Sequence, residues 1–162
     1  MIRLSIRSLR LKDTSVLWTM LMHAAHESDL VTVKATPDLA RYVEGWGRAG
    51  DLGVVAKQAN KAVGAAWVRL WSEGNRGYGH VSDEVPELAI AVIPEVRGQG
   101  IGSALLENLL SMASAQFPAI SLSIRADNPA LRLYERNGFL PVEGTEVTNR
   151  AGGVSFSMIY QF

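Results

Sequence analysis

The residues with the clearest chemical potential lie together in one short segment, Arg97 to Ser103. Three glycines in it lack a Cβ, so the backbone can curl there and approach a ligand closely. A helix that begins at this point presents backbone N–H groups without partners and a partial positive charge. Arg97 adds a full positive charge beside them. This pattern predicts a cradle for a phosphate or diphosphate, against the alternative of a tight turn that binds nothing.

The flanking residues predict the elements that hold this segment. Leu88 to Ile93 is an unbroken apolar run of strand length, typical of a strand buried on both faces. Pro94 should end the strand, because proline cannot donate to a sheet ladder. Apolar residues then recur at helical spacing, at Ile101, Leu105, Leu109 and Met112. The expected unit is therefore strand, glycine loop and helix.

Two common phosphate-binding patterns do not fit this unit. The G-x-G-x-x-G pattern fails, because its last glycine would be Ser103 or Leu105. The P-loop fails as well, because Gly-Lys-Ser/Thr does not occur in the chain. The pattern that is present is Arg-x-x-Gly-x-Gly, formed by Arg97, Gly100 and Gly102.

This pattern resembles the acyl-CoA-binding motif of the GNAT superfamily of N-acetyltransferases. Downstream, Asn128-Pro129-Ala130 and then Leu133-Tyr134-Glu135-Arg136-Asn137-Gly138-Phe139 resemble the second signature of that family. The resemblance covers roughly residues 85–142, and the order of elements on both sides also fits.

The resemblance implies acetyl-CoA as acyl donor, no metal, and a set of cofactor-binding residues. These are Arg97, Gly98, Gln99, Gly100, Ile101, Gly102 and Ser103 at the diphosphate, Ile90, Ala91 and Val92 along the pantetheine arm, and Asn128 and Tyr134. In the family the central strand splays from the next one and the pantetheine arm enters the gap. Tyr134 is implied to protonate the departing thiolate, and a packed structural tyrosine is the alternative. Asn128 could equally be a helix cap.

The general base is left open by the sequence. An alkyl amine has a pKa near roughly 10, so it must lose a proton before it attacks a thioester. Glu87 and Glu84 are the carboxylates nearest to where the family often places a base. Both could instead be solvated residues of an entry loop, and a water chain could replace them.

The predicted fold is a single α/β domain over residues 1–162, with a mixed, mostly antiparallel sheet flanked by helices on both faces. The predicted order is β-α-α-β-β-β-α-β-α-β-β. Strands are expected at residues 2–9, 51–58, 62–71, 88–93, 119–124, 139–142 and 154–160. Helices should begin at Asp13, at Thr36-Pro37, at the glycine segment 98–102 and at Asn128-Pro129. The last of these helices should end at Gly138. Residues 72–82 are expected to form a mobile loop near the site, and a solvated hairpin end is the alternative.

Composition narrows the function classes. Sixteen basic residues balance sixteen acidic ones, so the net charge gives no sign of binding to nucleic acid or to an anionic membrane. We therefore expect no nucleic-acid and no membrane partner. The absence of cysteine excludes disulfides and thiolate chemistry. An N-terminus without a signal-peptide pattern favours a cytoplasmic protein.

The function expected from the resemblance is acetyl transfer to a primary amine of a small molecule, peptide or protein. The alternative is a non-catalytic acyl-CoA-binding or regulatory module on the same fold. The acceptor, the use of longer acyl-CoA donors and the oligomeric state stay open, although homodimers are common in the family.

Overall fold

The computed structural model describes residues 3–72 and 74–162 of the chain. Ile2, in the first predicted strand, and Glu73, in the predicted loop, lie outside the described residues. The strands are β1 Leu4–Ser8, β2 Leu52–Gln58, β3 Lys61–Arg69, β4 Glu87–Val92, β5 Ala119–Arg125, β6 Leu140–Pro141, β7 Val147–Thr148 and β8 Val154–Gln161. The helices are α1 Thr14–Ala24, α2 Leu30–Ala35, α3 Pro37–Ala40, α4 Ile101–Ala113 and α5 Leu131–Arg136. The fold is therefore mixed α/β, and its eight-stranded sheet is mostly antiparallel.

The first of two compact units holds the residues up to Arg69 together with Ala89–Ala113. In this unit β1, β2 and β3 form an antiparallel meander. The turn between β2 and β3 is made by Ala59 and Asn60, both in the left-handed region, with φ of 49° and 64°. Helix α4 packs against β2 and β3 with its apolar face, on which Leu105 and Leu109 are fully buried.

The second unit holds Leu70–Leu88 and Ser114–Phe162. Strand β5 runs parallel to the start of β4, where Glu87 pairs with Ser121. It runs antiparallel to β8 along its whole length. Strand β8 in turn pairs with the two short strands β6 and β7. Among the described residues of both units, no helix is long and apolar enough to cross a membrane.

Three elements differ from the prediction, either because they were not expected or because they are shorter. Helix α2 was not predicted, although Asp29 caps it by accepting a hydrogen bond of 2.7 Å from the Thr32 N–H. Helix α3 begins at Pro37 as expected but ends at Ala40, although the sequence predicts a helix that continues to a stop near Gly45 to Gly50. Strand β7 has only two residues, too few to show an alternating pattern.

Asp13 occupies the predicted cap position of α1, but its carboxylate does not cap the helix. It accepts two hydrogen bonds from the guanidinium of Arg7, at 2.8 and 2.9 Å, and a third from the Arg10 N–H at 2.8 Å. The hydrogen bonds from Arg7 lower the pKa of Asp13 to about 2. The residue therefore ties the end of β1 to the start of α1.

A buried arginine organises the segment that precedes β2. Arg69 is fully buried, and its guanidinium donates to both carboxylate oxygens of Asp51, each at 3.0 Å. It also donates to the backbone carbonyls of Arg41 and Glu44, at 2.9 and 2.7 Å. Because a buried charge is costly unless it is paired, these contacts fix residues 41–51 against β3.

Replacement of this arginine should destabilise the fold strongly. Arg69→Met leaves the Asp51 carboxylate buried without its main partner, so the free energy of unfolding should fall by about 3–5 kcal/mol. Chemical denaturation measures the change. Arg48→Met is the matched control, because Arg48 lies 3.6 Å from the same carboxylate and its side chain is 38% exposed. Its loss should cost about 1 kcal/mol or less, and equal losses in both variants would contradict the assignment.

Candidate functional site

The glycine segment adopts a backbone that only glycine tolerates well. After the strand, Pro94–Val96 forms one turn of 3-10 helix and Arg97 is extended. Gly98 and Gly100 follow in the left-handed region, with φ of 79° and 80°. Both are exposed, and a Cβ on either would meet nothing within 4 Å. The glycines are thus required by the path of the chain, and the space beside them is open.

The segment leads directly into the N-terminus of α4. The Gly100 carbonyl accepts a hydrogen bond of 3.1 Å from the Ala104 N–H, so Gly100 is the cap residue. The N–H groups of Ile101, Gly102 and Ser103 belong to the first turn and point out of the helix end. Ile101 is buried and anchors this turn. The glycine loop and helix N-terminus on which the predicted cradle depends are therefore present, and Gln99 is exposed between the two glycines.

Arg97 is tied to the end of β4. Its Nε donates to the carbonyl of Val92 at 2.9 Å, while the residue as a whole remains exposed. The charge of Arg97 also affects His23 on α1. The pKa of His23 is lowered, mainly by burial and to a smaller extent by the positive charge of Arg97, while the negative charge of Glu95 raises it. Only the fold brings α1 near Arg97, so sequence reasoning did not anticipate this interaction.

The three β4 residues expected along the pantetheine arm lie on the strand that leads to the cradle. Ala91 is buried, and Ile90 and Val92 are half-buried. On the β3 side, a Cβ at Gly64 would come within 3.0 Å of the Ala91 carbonyl and of the Leu105 side chain. Gly64 is thus the small residue that lets β3 pack closely on β4 and α4 in this unit.

Glu87 and Glu84 have opposite environments in the second unit. Glu87 is the first residue of β4 and only 3% exposed, so the alternative that it is a solvated loop residue is wrong. Its Oε1 accepts a hydrogen bond of 2.8 Å from the indole Nε1 of Trp71. Glu84 is exposed. Sequence reasoning gave no role to Trp71, which is sixteen positions away along the chain.

Tyr134 is held in the short helix α5. It is 8% exposed, and burial raises the pKa of its phenol. Its ring meets Phe139 edge to face, with centroids 5.7 Å apart. The predicted stop at Gly138 is confirmed. Gly138 has a φ of 98°, and the N–H groups of Gly138 and Phe139 return to the carbonyls of Glu135 and Tyr134 in a Schellman motif.

Asn128 does not cap α5, and this part of the prediction is wrong. The helix begins at Leu131 with Ala130 at the cap position. The Oδ1 of Asn128 instead accepts a hydrogen bond of 2.9 Å from the Ala130 N–H, which closes a turn before the helix. An asparagine that bonds its own backbone two residues on is common in turns. The asparagine-proline pair therefore predicted a helix start, but placed it too early.

The predicted site residues divide between the two units. The first unit brings together the cradle residues 97–103 and the strand residues Ile90, Ala91 and Val92. The second unit contains Glu87, Asn128 and Tyr134.

Comparisons of the sequence and of the structure with known proteins both find acetyltransferases. The sequence model of the acetyltransferase (GNAT) family matches residues 14–139. A mycothiol acetyltransferase from Acidothermus cellulolyticus is 33% identical over 111 residues, covering 62% of this chain and 33% of that protein. The chain spans a third or less of the length of the curated relatives it matches.

Two solved structures share the fold. A ribosomal-protein-alanine N-acetyltransferase from Brucella melitensis has a TM-score of 0.72 at 22% identity, covering 98% of this chain and 99% of that one. A proposed acetyltransferase from Salmonella typhimurium, solved with its cofactor acetyl-CoA, has a TM-score of 0.71 at 20% identity. Its alignment covers 98% of this chain and 94% of that one.

A carboxylate at Gly100 should weaken the proposed binding of the acetyl-CoA diphosphate to this segment. Gly100→Asp puts a negative charge beside the first-turn N–H groups, so acetyl-CoA affinity should fall by at least about tenfold in titration calorimetry. Gly144→Asp is the control, because Gly144 has a φ of 79° and equally open surroundings. It carries the same backbone strain, and it should bind acetyl-CoA as the wild type does. Unchanged affinity in Gly100→Asp would remove the diphosphate from this segment.

Proposed function

Because the chain belongs to the acetyltransferase (GNAT) family, we propose that it transfers an acetyl group from acetyl-CoA to a primary amine. The observation that carries this proposal is the open N-terminus of α4, with left-handed glycines and an anchored Arg97 directly after β4. That arrangement suits a diphosphate better than it suits a neutral ligand. The relative from Salmonella typhimurium, which holds acetyl-CoA, supports the choice of donor.

The proposed binding mode assigns each part of the donor to its own residues. The N–H groups from Gly98 to Ser103 and the charge of Arg97 hold the diphosphate. The backbone of Ile90, Ala91 and Val92 pairs with the pantetheine arm, and an N–H there stabilises the oxyanion. Asn128 and Tyr134 complete the set of cofactor contacts.

The reaction proposed is direct transfer through a tetrahedral intermediate. The neutral amine attacks the thioester carbon, a C–N bond forms, and the C–S bond then breaks. The proton that the amine loses passes to a base, and the departing thiolate receives a proton from an acid. The products are an N-acetyl amide and free CoA.

We assign the base to Glu87 and the acid to Tyr134. Glu87 is buried at the start of β4, whereas Glu84 is exposed to water, which makes Glu84 a weaker candidate. A phenol is already protonated at neutral pH, and burial raises the pKa of Tyr134 further, so the proton that the sulfur needs is present on its hydroxyl.

The acceptor is proposed only at the level of a primary amine. One similar protein is named a mycothiol acetyltransferase and another a ribosomal-protein-alanine N-acetyltransferase. Small-molecule amines and peptide N-termini are therefore both to be tested as acceptors. The test is release of CoA thiol from acetyl-CoA in the presence of a panel of such amines. Thiol release that depends on the amine and yields its N-acetyl product supports the proposal. Tight acetyl-CoA binding without any acetylated product would favour the non-catalytic module instead.

Loss of the Tyr134 hydroxyl should slow turnover more than it weakens binding. In Tyr134→Phe, kcat should fall by about a hundredfold while acetyl-CoA affinity changes little, because only the proton donor is removed. Tyr160→Phe is the matched control, since the Tyr160 ring also lies against Phe139, at 5.5 Å. A wild-type kcat in Tyr134→Phe would exclude it as the acid.

Neutralisation of Glu87 should change the pH dependence of the reaction. In Glu87→Gln, the rising limb of kcat/KM with pH should flatten, because the group that accepts the proton is gone. Glu84→Gln is the control three residues away and should keep the wild-type profile. If Glu87→Gln keeps that profile too, a water chain or another group is the base.

A further inference from the structure

The indole of Trp71 and the carboxylate of Glu87 form a buried pair in the second unit. Both residues are 3% exposed, and the Nε1 to Oε1 distance is 2.8 Å. A donor at this distance holds a carboxylate firmly, since hydrogen bonds to ionised groups are shorter and stronger than neutral ones. Trp71 lies outside the residues that the family resemblance or the proposed mechanism uses.

The chain after Trp71 closes around the same carboxylate. A Cβ at Gly77 would overlap the Glu87 Oε1 and would come within 2.6 Å of the Trp71 Nε1. A Cβ at Gly79 would come within 3.0 Å of the Glu87 carboxyl carbon. The absence of side chains at these two positions is therefore a condition for the pair to form.

Strand β5 fixes this loop from its other side. The buried hydroxyl of Ser121 donates to the Gly79 carbonyl at 2.7 Å, and the Ser121 N–H donates to the Pro86 carbonyl at 3.0 Å. Ser121 is also the residue that pairs with Glu87 in the sheet. The described part of this loop thus bonds to Ser121 of β5 at two points, Gly79 and Pro86.

We propose that Trp71 is a positioning residue for the reaction, which holds the Glu87 carboxylate in one orientation and favours its ionised form. The proposal rests on the proposed function, in which Glu87 is the base. Trp71 acts through Glu87, and no contact between Trp71 and substrate is invoked.

Three titratable side chains in the described part of the loop contact one another. In the loop, the Nε2 of His80 lies 2.7 Å from Asp83, and Arg76 lies 3.9 Å from the same carboxylate. Tyr78 and Glu84 are exposed to water. The polar residues of β5 in this region, Ser121 and Ser123, are uncharged. The indole is a neutral donor to Glu87, so its removal changes no charge. Because that donor stabilises the ionised carboxylate, its loss should make Glu87 harder to ionise.

The test compares Trp71→Phe with Trp67→Phe. Trp67 is fully buried and donates its Nε1 at 2.9 Å to the carbonyl of Tyr42, so the control loses the same group from a neutral partner. The carboxyl ¹³C resonance of Glu87, identified by its absence in Glu87→Gln, is titrated in each protein. In Trp71→Phe the midpoint should rise by about one pH unit, and kcat/KM below the midpoint should fall about tenfold. Trp67→Phe should change neither.

The outcomes separate this inference from the proposed function. An unshifted Glu87 midpoint in Trp71→Phe overturns the role of Trp71, whatever Glu87 does. A shifted midpoint with a wild-type pH profile in Glu87→Gln overturns Glu87 as base, and with it the catalytic role of Trp71.

A measurement on the intact protein covers the case in which Trp71→Phe does not fold. The Trp71 indole N–H resonance should then titrate at the pH of the rising limb of kcat/KM, and an indole signal that is constant through that limb overturns the inference.

Discussion

The first unit depends on the junction at which β4 ends and α4 begins. Pro94 stops the strand, and the left-handed conformations at Gly98 and Gly100 redirect the chain into the helix. Ile101 is buried directly after the turn and holds the helix end in place. The same junction leaves first-turn N–H groups at an open surface, so the geometry that packs the helix also forms the proposed anion cradle.

Each unit also contains a charged strand residue that fixes a neighbouring irregular segment. In the first unit, buried Arg69 of β3 binds Asp51 and the carbonyls of Arg41 and Glu44. In the second unit, buried Glu87 of β4 binds Trp71, and glycines at 77 and 79 let the loop close on it. Since buried charges require partners, each one fixes a stretch that has little regular structure of its own.

The sequence predicted what depends on local pattern. The apolar run of β4, the helical spacing of α4 and the Schellman stop at Gly138 are local features, and the structure contains all three. The resemblance carried by the two motifs is confirmed by the family model, which spans residues 14–139. The roles assigned to individual site residues stay predictions.

The features that the sequence missed depend on contacts between distant positions or on competing local bonds. Nothing near Trp71 indicates that its indole meets Glu87, because a turn of glycines and a strand register bring them together. Asp13 and Asn128 were assigned as caps from residue type alone. Their side chains instead meet Arg7 and the Ala130 N–H, which are equally good partners for the same oxygens.

The N-terminus of α4 is proposed to bind the diphosphate of acetyl-CoA, and amide NMR tests this binding most directly. Acetyl-CoA is titrated into ¹⁵N-labelled protein, and the backbone amide signals of Gly98, Gly100, Ile101, Gly102 and Ser103 are followed. If this helix end binds the diphosphate, these signals should move together with one dissociation constant, because their N–H groups meet the phosphate oxygens. If acetyl-CoA moves other amides and leaves these five unchanged, the donor binds elsewhere and the helix end is not the diphosphate site.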